Sequence, residues 1–416
     1  MKIVHANSLY YPAVGGNEIQ TQKLSEGLVK AGDQVAVFTT NANKLDQILQ
    51  FDSNREYLAS TEMINGVFVK RFSHMYRLYS FIFDRMSKIR GCYRLRKLLF
   101  GNSLDVWEHG PFIPSMLWSI VRYKPDIILS INTYFATTYI CYLAKKLFGV
   151  PLAISAITHT FDTWVNKPIV NLMLKSADCV FASTEFEKNY LIDQGINVEK
   201  ITILGHGIDP GDFKNIEGNS FRKKYDIKDE LLILFVGRKD LRKGVALLIE
   251  AMRIVWRQDK NAKLVLAGQR MADFDADYQK QIDALSDEDR ARIIEIEQFT
   301  SKEKFEMFAA CDIFAMPSTI DSFGIVYLEA WASGKPVIAC KDTPQESIID
   351  HEVDGLLVEL GNKDDLAASI LKLASNIVLR LRLGEAGRQK VMSRYTWDKI
   401  VQVKRKKYQE ILANNK

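Results

Sequence analysis

Apolar residues in this chain come in short runs bounded by turn-forming residues, with longer segments of three- and four-residue apolar spacing between them. In the first half the runs are Ile3–Ala6, Val35–Thr39, Val67–Phe72, Ile127–Ser130, Leu152–Ala156, Cys179–Ala182 and Ile201–Leu204. Such alternation of predicted strands with helical patterns is the signature of parallel sheets built from βαβ units. The first helix is predicted over about Glu18–Ala31, apolar at Leu24, Leu28 and Val29, and stopped by Gly32. A second series runs through Leu232–Val236, Leu264–Ala267, Ile293–Ile296, Ile313–Met316, Val337–Ala339 and Gly355–Val358. Between the two lies Gly205-His206-Gly207-Ile208-Asp209-Pro210-Gly211, dense in turn residues and read as a linker. The chain ends in helical pattern. Its last piece, Trp397–Leu412, is apolar at Ile400, Val401, Val403, Tyr408 and Ile411, mixed with lysines.

Length fits this division: 416 residues exceed one typical core and suit two domains of about 200 residues each, hence a cleft. With 47% hydrophobic and 26% charged residues the composition is that of an ordinary globular protein and excludes wholesale disorder. No secretory signal and no apolar run of about 18 residues is visible. Cys92, Cys141, Cys179, Cys311 and Cys340 are scattered and form no metal-ligating pattern. A reduced cytoplasmic protein without structural zinc is the expectation.

Charge is uneven. Residues 71–97 hold Arg71, Arg77, Arg85, Lys88, Arg90, Arg94, Arg96 and Lys97 against the single Asp84. In the same stretch Met75, Leu78, Tyr79, Ile82, Met86, Ile89 and Tyr93 recur at helical steps, and Phe72, Tyr76, Phe81 and Phe83 add aromatic rings. That layout suits an interfacial helix on an anionic membrane surface. A helix packed on the first sheet with solvated arginines, or a groove for a phosphorylated acceptor, would look the same. No nucleic-acid module accompanies the charge.

Four places carry candidate chemistry. Pro317–Pro336 follows a predicted strand, with Ser322-Phe323-Gly324 as a turn onto a helix; N–H groups there, with close approach permitted at Gly324, suit a diphosphate. Glu329 inside that helix can accept hydrogen bonds from a ribose diol, and Asp321 from a sugar ring. The bland alternative is that Asp321 caps the helix and Glu329 pairs on its surface. In the second, Gly237-Arg238-Lys239-Asp240-Leu241-Arg242-Lys243-Gly244, Arg238 and Lys243 lie where ligands meet open sheets and can neutralise a leaving diphosphate, whereas Arg242 reads as solvated. The third is Gly15-Gly16, a tight turn onto the first helix; the fourth is His159, just past a predicted strand end. GxGxxG and GxSxG are both absent, against nicotinamide and acyl-transfer chemistry.

In order, these pieces resemble retaining glycosyltransferase family 4 nearly end to end. The family's acidic-x7-Glu motif is matched by Asp321…Glu329, its Gly-Arg…Lys-Gly motif by Gly237-Arg238…Lys243-Gly244, its glycine loop by Gly15-Gly16 and its histidine by His159. The linker followed by Phe213, and Pro344-Gln345-Glu346…Asp354-Gly355-Leu356-Leu357-Val358, also look like the family's. Asp321 stands where the family usually has Glu, and Asp342-Thr343 where a Gly pair is usual.

The resemblance implies a GT-B fold of two Rossmann-like open parallel-sheet domains facing across a cleft, with a C-terminal helix crossing back to the first. The expected boundaries are 1–205 for an acceptor domain, 206–213 for the linker, 214–390 for the nucleotide-sugar domain and 391–416 for the returning helix. The implied catalytic residues are His159, Arg238, Lys243 and Asp321; Gly15, Gly16, Gly237, Ser322, Phe323, Gly324 and Glu329 would bind the donor. The implied reaction is front-face transfer of a hexose from a UDP- or GDP-sugar to a glycan or lipid-linked acceptor, with no metal or other cofactor, in polysaccharide or glycolipid assembly. Its expected place is the cytoplasm, peripheral on the inner face of the plasma membrane. An epimerase of the same fold, or an inactive nucleotide-sugar binder, shares part of these features.

Overall fold

The computed structural model describes all residues except 14, 45, 50–57, 76–109, 112, 134, 159–165, 259–260, 272–274, 320 and 416. It divides into two compact units, Met1–Gly205 with Ile400–Lys416, and His206–Lys399. Each is an α/β unit built on an open sheet.

In the first unit the strands are β1 (Lys2–Ala6), β2 (Gln34–Thr40), β3 (Thr61–Ile64), β4 (Val67–Phe72), β5 (Ile127–Ile131), β6 (Leu152–Ser155), β7 (Cys179–Ala182) and β8 (Ile201–Ile203). They lie in the order β3-β4-β2-β1-β5-β6-β7-β8. All neighbours pair in parallel except β3 with β4. The chain builds outward from β1 through β2 to β4, then returns to β1's other side with β5. The sheet's winding therefore reverses between β1 and β5, and ligands of open sheets bind beyond the carboxyl ends of strands at such reversals. Helix α1 (Gly16–Lys30) buries Leu24 and Leu28, and its chain leaves through Gly32 at φ +88°.

The terminal helix Trp397–Asn414 packs into this unit from Ile400 onward. Ile400, Val401, Lys404, Tyr408 and Ile411 form its buried stripe, while Val403 falls off the helical spacing and is exposed. Gly27 of α1 makes room for it: a Cβ there would come within 2.5 Å of the Val401 side chain. Arg405 Nε bonds Asp33 at 2.7 Å, and the same carboxylate holds the terminal amino group at 2.8 Å.

The second unit holds β9 (Leu231–Val236), β10 (Ala262–Ala267), β11 (Ile293–Ile296), β12 (Ile313–Ala315), β13 (Val337–Cys340) and β14 (Gly355–Val358), in the order β11-β10-β9-β12-β13-β14. Every pairing is parallel. Here the reversal falls between β9 and β12, paired at Ile313↔Ile233. Residues 206–208 and 395–397 run side by side, Ile208 N–H donating to the Tyr395 carbonyl at 2.8 Å and Trp397 N–H to that of Ile208 at 3.2 Å. Among the described residues no helix is long and apolar enough to cross a membrane. Cys141, Cys179, Cys311 and Cys340 are free and buried, and Cys92 lies outside the described residues.

Candidate functional site

At the β9/β12 reversal two loops leave neighbouring strand ends and lock together. Asp240 accepts hydrogen bonds from the Arg242 and Lys243 N–H groups, both at 3.0 Å, winding the first loop into a single turn. Gly244 then passes at φ +76° so close to the second loop that a Cβ would lie 2.0 Å from the Pro317 carbonyl oxygen. The Arg242 carbonyl accepts from Thr319 N–H at 2.8 Å and from the Ser318 and Thr319 hydroxyls at 3.3 and 3.1 Å. Lys243 is thereby aimed at Asp321, Nζ to Oδ1 2.6 Å, with both side chains mostly buried. Asp321 Oδ2 is buried without a hydrogen-bond partner. Arg238 projects outward, its side chain 58% exposed and its nearest acid, Asp240, 3.9 Å away. Arg242 is also exposed; its side chain is solvated as read from sequence, but its carbonyl joins the loops.

The second loop ends at Gly324, φ +84°, where a Cβ would strike the Tyr327 ring, and the helix Ile325–Ala332 starts there without any side-chain cap. Asp321 does not cap it; it pairs with Lys243 instead. Phe323 is buried, its ring 5.0 Å from that of His206, so only its main chain remains for a ligand. Ser322 is half-buried on the turn. Glu329 lies inside the helix, buried, with Oε1 2.6 Å from Lys304 Nζ and Oε2 lacking a partner. Burial pushes its carboxyl above the usual range, against the pull of Lys304. One oxygen thus has a resident cation, and the other remains for a donor such as a ribose hydroxyl. Gly237 has no conformational need to be glycine, since a Cβ would meet ordinary contacts at 3.5 Å.

In the first unit Gly15 and Gly16 connect the loop after β1 to α1, Gly15 as an extended N-cap. His159 lies outside the described residues. At the β1/β5 reversal a cavity of about 750 Å³ opens between the loops after β1, β2 and β5 and the first turn of α1. The basic segment begins inside the fold: Arg71 is buried, pairs with Glu62, and donates to the Tyr11 carbonyl at 2.7 Å and the Ala59 carbonyl at 3.2 Å. Phe72 is a core residue, 5.6 Å ring to ring from Phe38. These two must be removed from the surface set, because β4 carries them into the sheet. Met75 is exposed, and residues 76–97 lie outside the described residues.

Comparison with known proteins matches these two units to two family models. The Glycosyltransferase Family 4 model matches residues 14–212, and the model for Glycosyl transferases group 1 matches residues 218–390. The chain belongs to glycosyltransferase family 4. Over its length the enzyme is 29% identical to the uncharacterised glycosyltransferase MJ1607 of Methanocaldococcus jannaschii, covering 96% of each chain. It is 25% identical to the alpha-monoglucosyldiacylglycerol synthase of Streptococcus pneumoniae, over 89% of this chain and 78% of that one. Among solved structures, Anabaena Alr3699/HepE in complex with UDP superposes with a TM-score of 0.75 at 17% identity, covering 99% of this chain and 100% of that one. That likeness speaks for the GT-B fold alone.

Three residues of the glycosyltransferase escaped the sequence reading. Lys239 is fully buried, 3.1 Å from Glu295 and 5.8 Å from the centre of the Tyr278 ring, with its main chain bonded to Gln269 and Met271. It ties the loops after β9 and β10 together. Lys304, the partner of Glu329, comes from the helix Ser301–Ala310 and has no local signal. Glu18, three residues past Gly15, lines the first unit's cavity. Its place in the first turn of α1 was readable, but nothing local reveals the cavity.

Proposed function

We propose that the enzyme transfers a hexosyl group from a UDP- or GDP-sugar to a glycan or lipid-linked acceptor, with retention of configuration and no need of a metal ion. The observation that carries this is the junction of the two loops at the β9/β12 reversal, which sets Arg238, Lys243, Asp321 and the uncapped start of the helix Ile325–Ala332 at neighbouring strand ends. In this reading Arg238, Lys243 and the Ser322-Phe323-Gly324 main chain hold the donor diphosphate, Glu329 Oε2 the ribose, and Asp321 and His159 the sugar. The bond from the anomeric carbon to the phosphate oxygen breaks, the acceptor oxygen bonds that carbon from the same face, and the acceptor proton goes to the leaving phosphate. The two cations offset the charge that develops there. Support for the donor class comes from the Anabaena neighbour, solved with UDP and with UDP-glucose.

A thermal-shift screen of UDP, GDP and their sugars tests the donor assignment. A ligand at 100 times its Kd adds about 2.7 kcal/mol to the stability of the state that binds it. One nucleotide series should raise Tm by several degrees; no shift from either would remove the nucleotide-sugar reading. The exposed part of residues 71–97 would attach the enzyme to an anionic leaflet, and absence of sedimentation with anionic vesicles at low salt would remove that part.

A further inference from the structure

Of the two carboxylate oxygens of Glu329, one is held by a residue that no motif marks. The helix Ile325–Ala332 is pinned on both sides of the glutamate: the Tyr327 hydroxyl donates to the Met316 carbonyl, and the Trp331 indole N–H to the Asp354 carbonyl at 2.8 Å. The main chain at Glu329 is thereby fixed. What stays free in such a glutamate is the carboxylate itself, whose torsion is broad and roughly two-fold. Lys304 removes that freedom, its Nζ lying 2.6 Å from Oε1, while Oε2 stays buried without a partner.

Lys304 is placed by the start of its own helix. The Thr300 hydroxyl accepts from Glu303 N–H at 3.2 Å, and the Glu303 carboxylate accepts from Thr300 N–H at 2.9 Å, a reciprocal cap that sets the first turn. One residue on, the Lys304 amine lies 5.4 Å from the centre of the Phe305 ring, which meets Phe213 edge-on with centroids 4.7 Å apart. Its side chain is only 25% exposed and that of Glu329 only 9%. An ion pair so covered is screened much less than one in open water.

The charges around Glu329 make the pair more than a clasp. Burial raises its carboxyl, Lys304 lowers it, and Asp212, in the turn Pro210–Phe213, raises it again. Among the described residues the charged groups bearing on it are therefore Lys304 and Asp212, and only Lys304 favours the ionised form. A carboxylate accepts a hydroxyl hydrogen bond more strongly than a neutral acid does.

We propose that Lys304 is a positioning residue for donor binding, holding Oε1 of Glu329 so that Oε2 is presented to the ribose hydroxyls of the nucleotide. The inference rests on the donor reading above and deepens it. Lys304 acts through Glu329 and does not itself touch the ribose. Without the cation, burial and Asp212 act unopposed, so Glu329 takes up its proton at a higher pH. Ribose recognition is then full above that pH and fades below it.

Calorimetry on the full chain tests this, with UDP, GDP and their 2′,3′-dideoxy analogues as probes from pH 5.5 to 8.5. The ratio of dideoxy to parent Kd isolates the ribose, because the diphosphate titrates alike in both. For the base that the enzyme binds, this ratio should be at least tenfold at pH 8.5. In Lys304→Met it should fall by half at a pH at least one unit higher than in the wild type, while the dideoxy Kd stays within twofold. Lys304→Gln, which gives up the charge but not the polarity, should shift the profile the same way, and Lys304→Arg should restore the wild-type profile. A merely structural pair would move Tm and leave the ratio alone. An unchanged profile in both uncharged variants, or an equal loss for parent and dideoxy nucleotides, would overturn the proposal while leaving the donor reading standing. Wild-type binding without ribose preference would overturn the role of Glu329 and this inference with it; binding of neither base series would overturn the donor reading itself.

Discussion

Replacing Gly244 by alanine should damage both turnover and stability. At φ +76° an alanine pays about 1–2 kcal/mol for the left-handed backbone. Its Cβ would also lie 2.0 Å from the Pro317 carbonyl oxygen, and reaching an ordinary separation of about 3.5 Å needs the loops to part by about 1.5 Å. That movement pulls Lys243 away from Asp321, whose 2.6 Å pair depends on the same junction. Misplacing a reacting group by about 1 Å can cost on the order of a hundredfold in rate, or about 2.7 kcal/mol. Loss of 1–2 kcal/mol in a unit of this size lowers Tm by roughly 2–8 °C. The assay is nucleotide diphosphate release from the donor selected by the thermal-shift screen, alongside Tm by circular dichroism. Gly237→Ala is the comparison for stability, because its Cβ would meet Met316 and Phe235 at 3.5 Å, and it should move Tm by no more than about 1 °C. Wild-type turnover and Tm in Gly244→Ala would refute the argument that the two loops must touch.

Arg238→Ala and Lys243→Ala should each lower kcat/KM by the equivalent of about 2–4 kcal/mol, and the exposed Arg238 should do so with Tm unchanged; near-normal rates in both would remove the cations from the reaction. Glu329→Gln should weaken nucleotide diphosphate binding in calorimetry as well as transfer if the unpartnered Oε2 accepts from the ribose as proposed, and unchanged nucleotide affinity would contradict that role. Lys404→Met should raise Tm at pH 7: burial lowers the amine to about 7 in the folded chain, against 10.5 unfolded, so the folded state loses a proton first. Wild-type stability attributable to this group therefore rises with pH between about 7 and 10.5, with the full penalty present below 7, and the methionine variant should lose that slope in pH-dependent denaturation.

Legibility of the sequence followed the range of the forces involved. The strands of both sheets stand close to the apolar runs, because a strand in a helix-covered sheet declares itself in a few consecutive residues. β3 is the exception. Thr61–Ile64 is a half-exposed edge strand with alternating burial, paired antiparallel to β4 around a turn at Asn65 and Gly66, and its four residues carry too little apolar signal. At Val403 and Lys404 hydropathy alone favours burying the valine, whereas helical spacing from Ile400 to Tyr408 buries the lysine, its amine lying 4.5 Å from the centre of the Phe181 ring.

The placement of the candidate residues was legible where a loop's own composition marks a turn at a strand end. Arg238, Lys243, Asp321 and Glu329 occupy one unit, and the strand order explains why motifs far apart in sequence leave adjacent strand ends. What could not be read was how those side chains are paired. Asp321 holding Lys243, and Lys304 holding Glu329, join residues 78 and 25 positions apart, and such distances are set by the sheet rather than by local pattern. Arg71 and Phe72 were miscounted as surface for a related reason: charge and aromaticity along a segment say nothing of which residues a strand carries into the fold.

Metal-independent transfer with retention, as proposed, is tested most directly by following one hexosyl group from donor to product. The purified enzyme is incubated in excess EDTA with the UDP- or GDP-sugar that raises its Tm and with an octyl glycoside, and the new linkage is read by proton NMR. The account predicts nucleotide diphosphate release undiminished by EDTA and a product with the donor's anomeric configuration. Activity abolished by EDTA and restored by magnesium, or a product of inverted configuration, would contradict it.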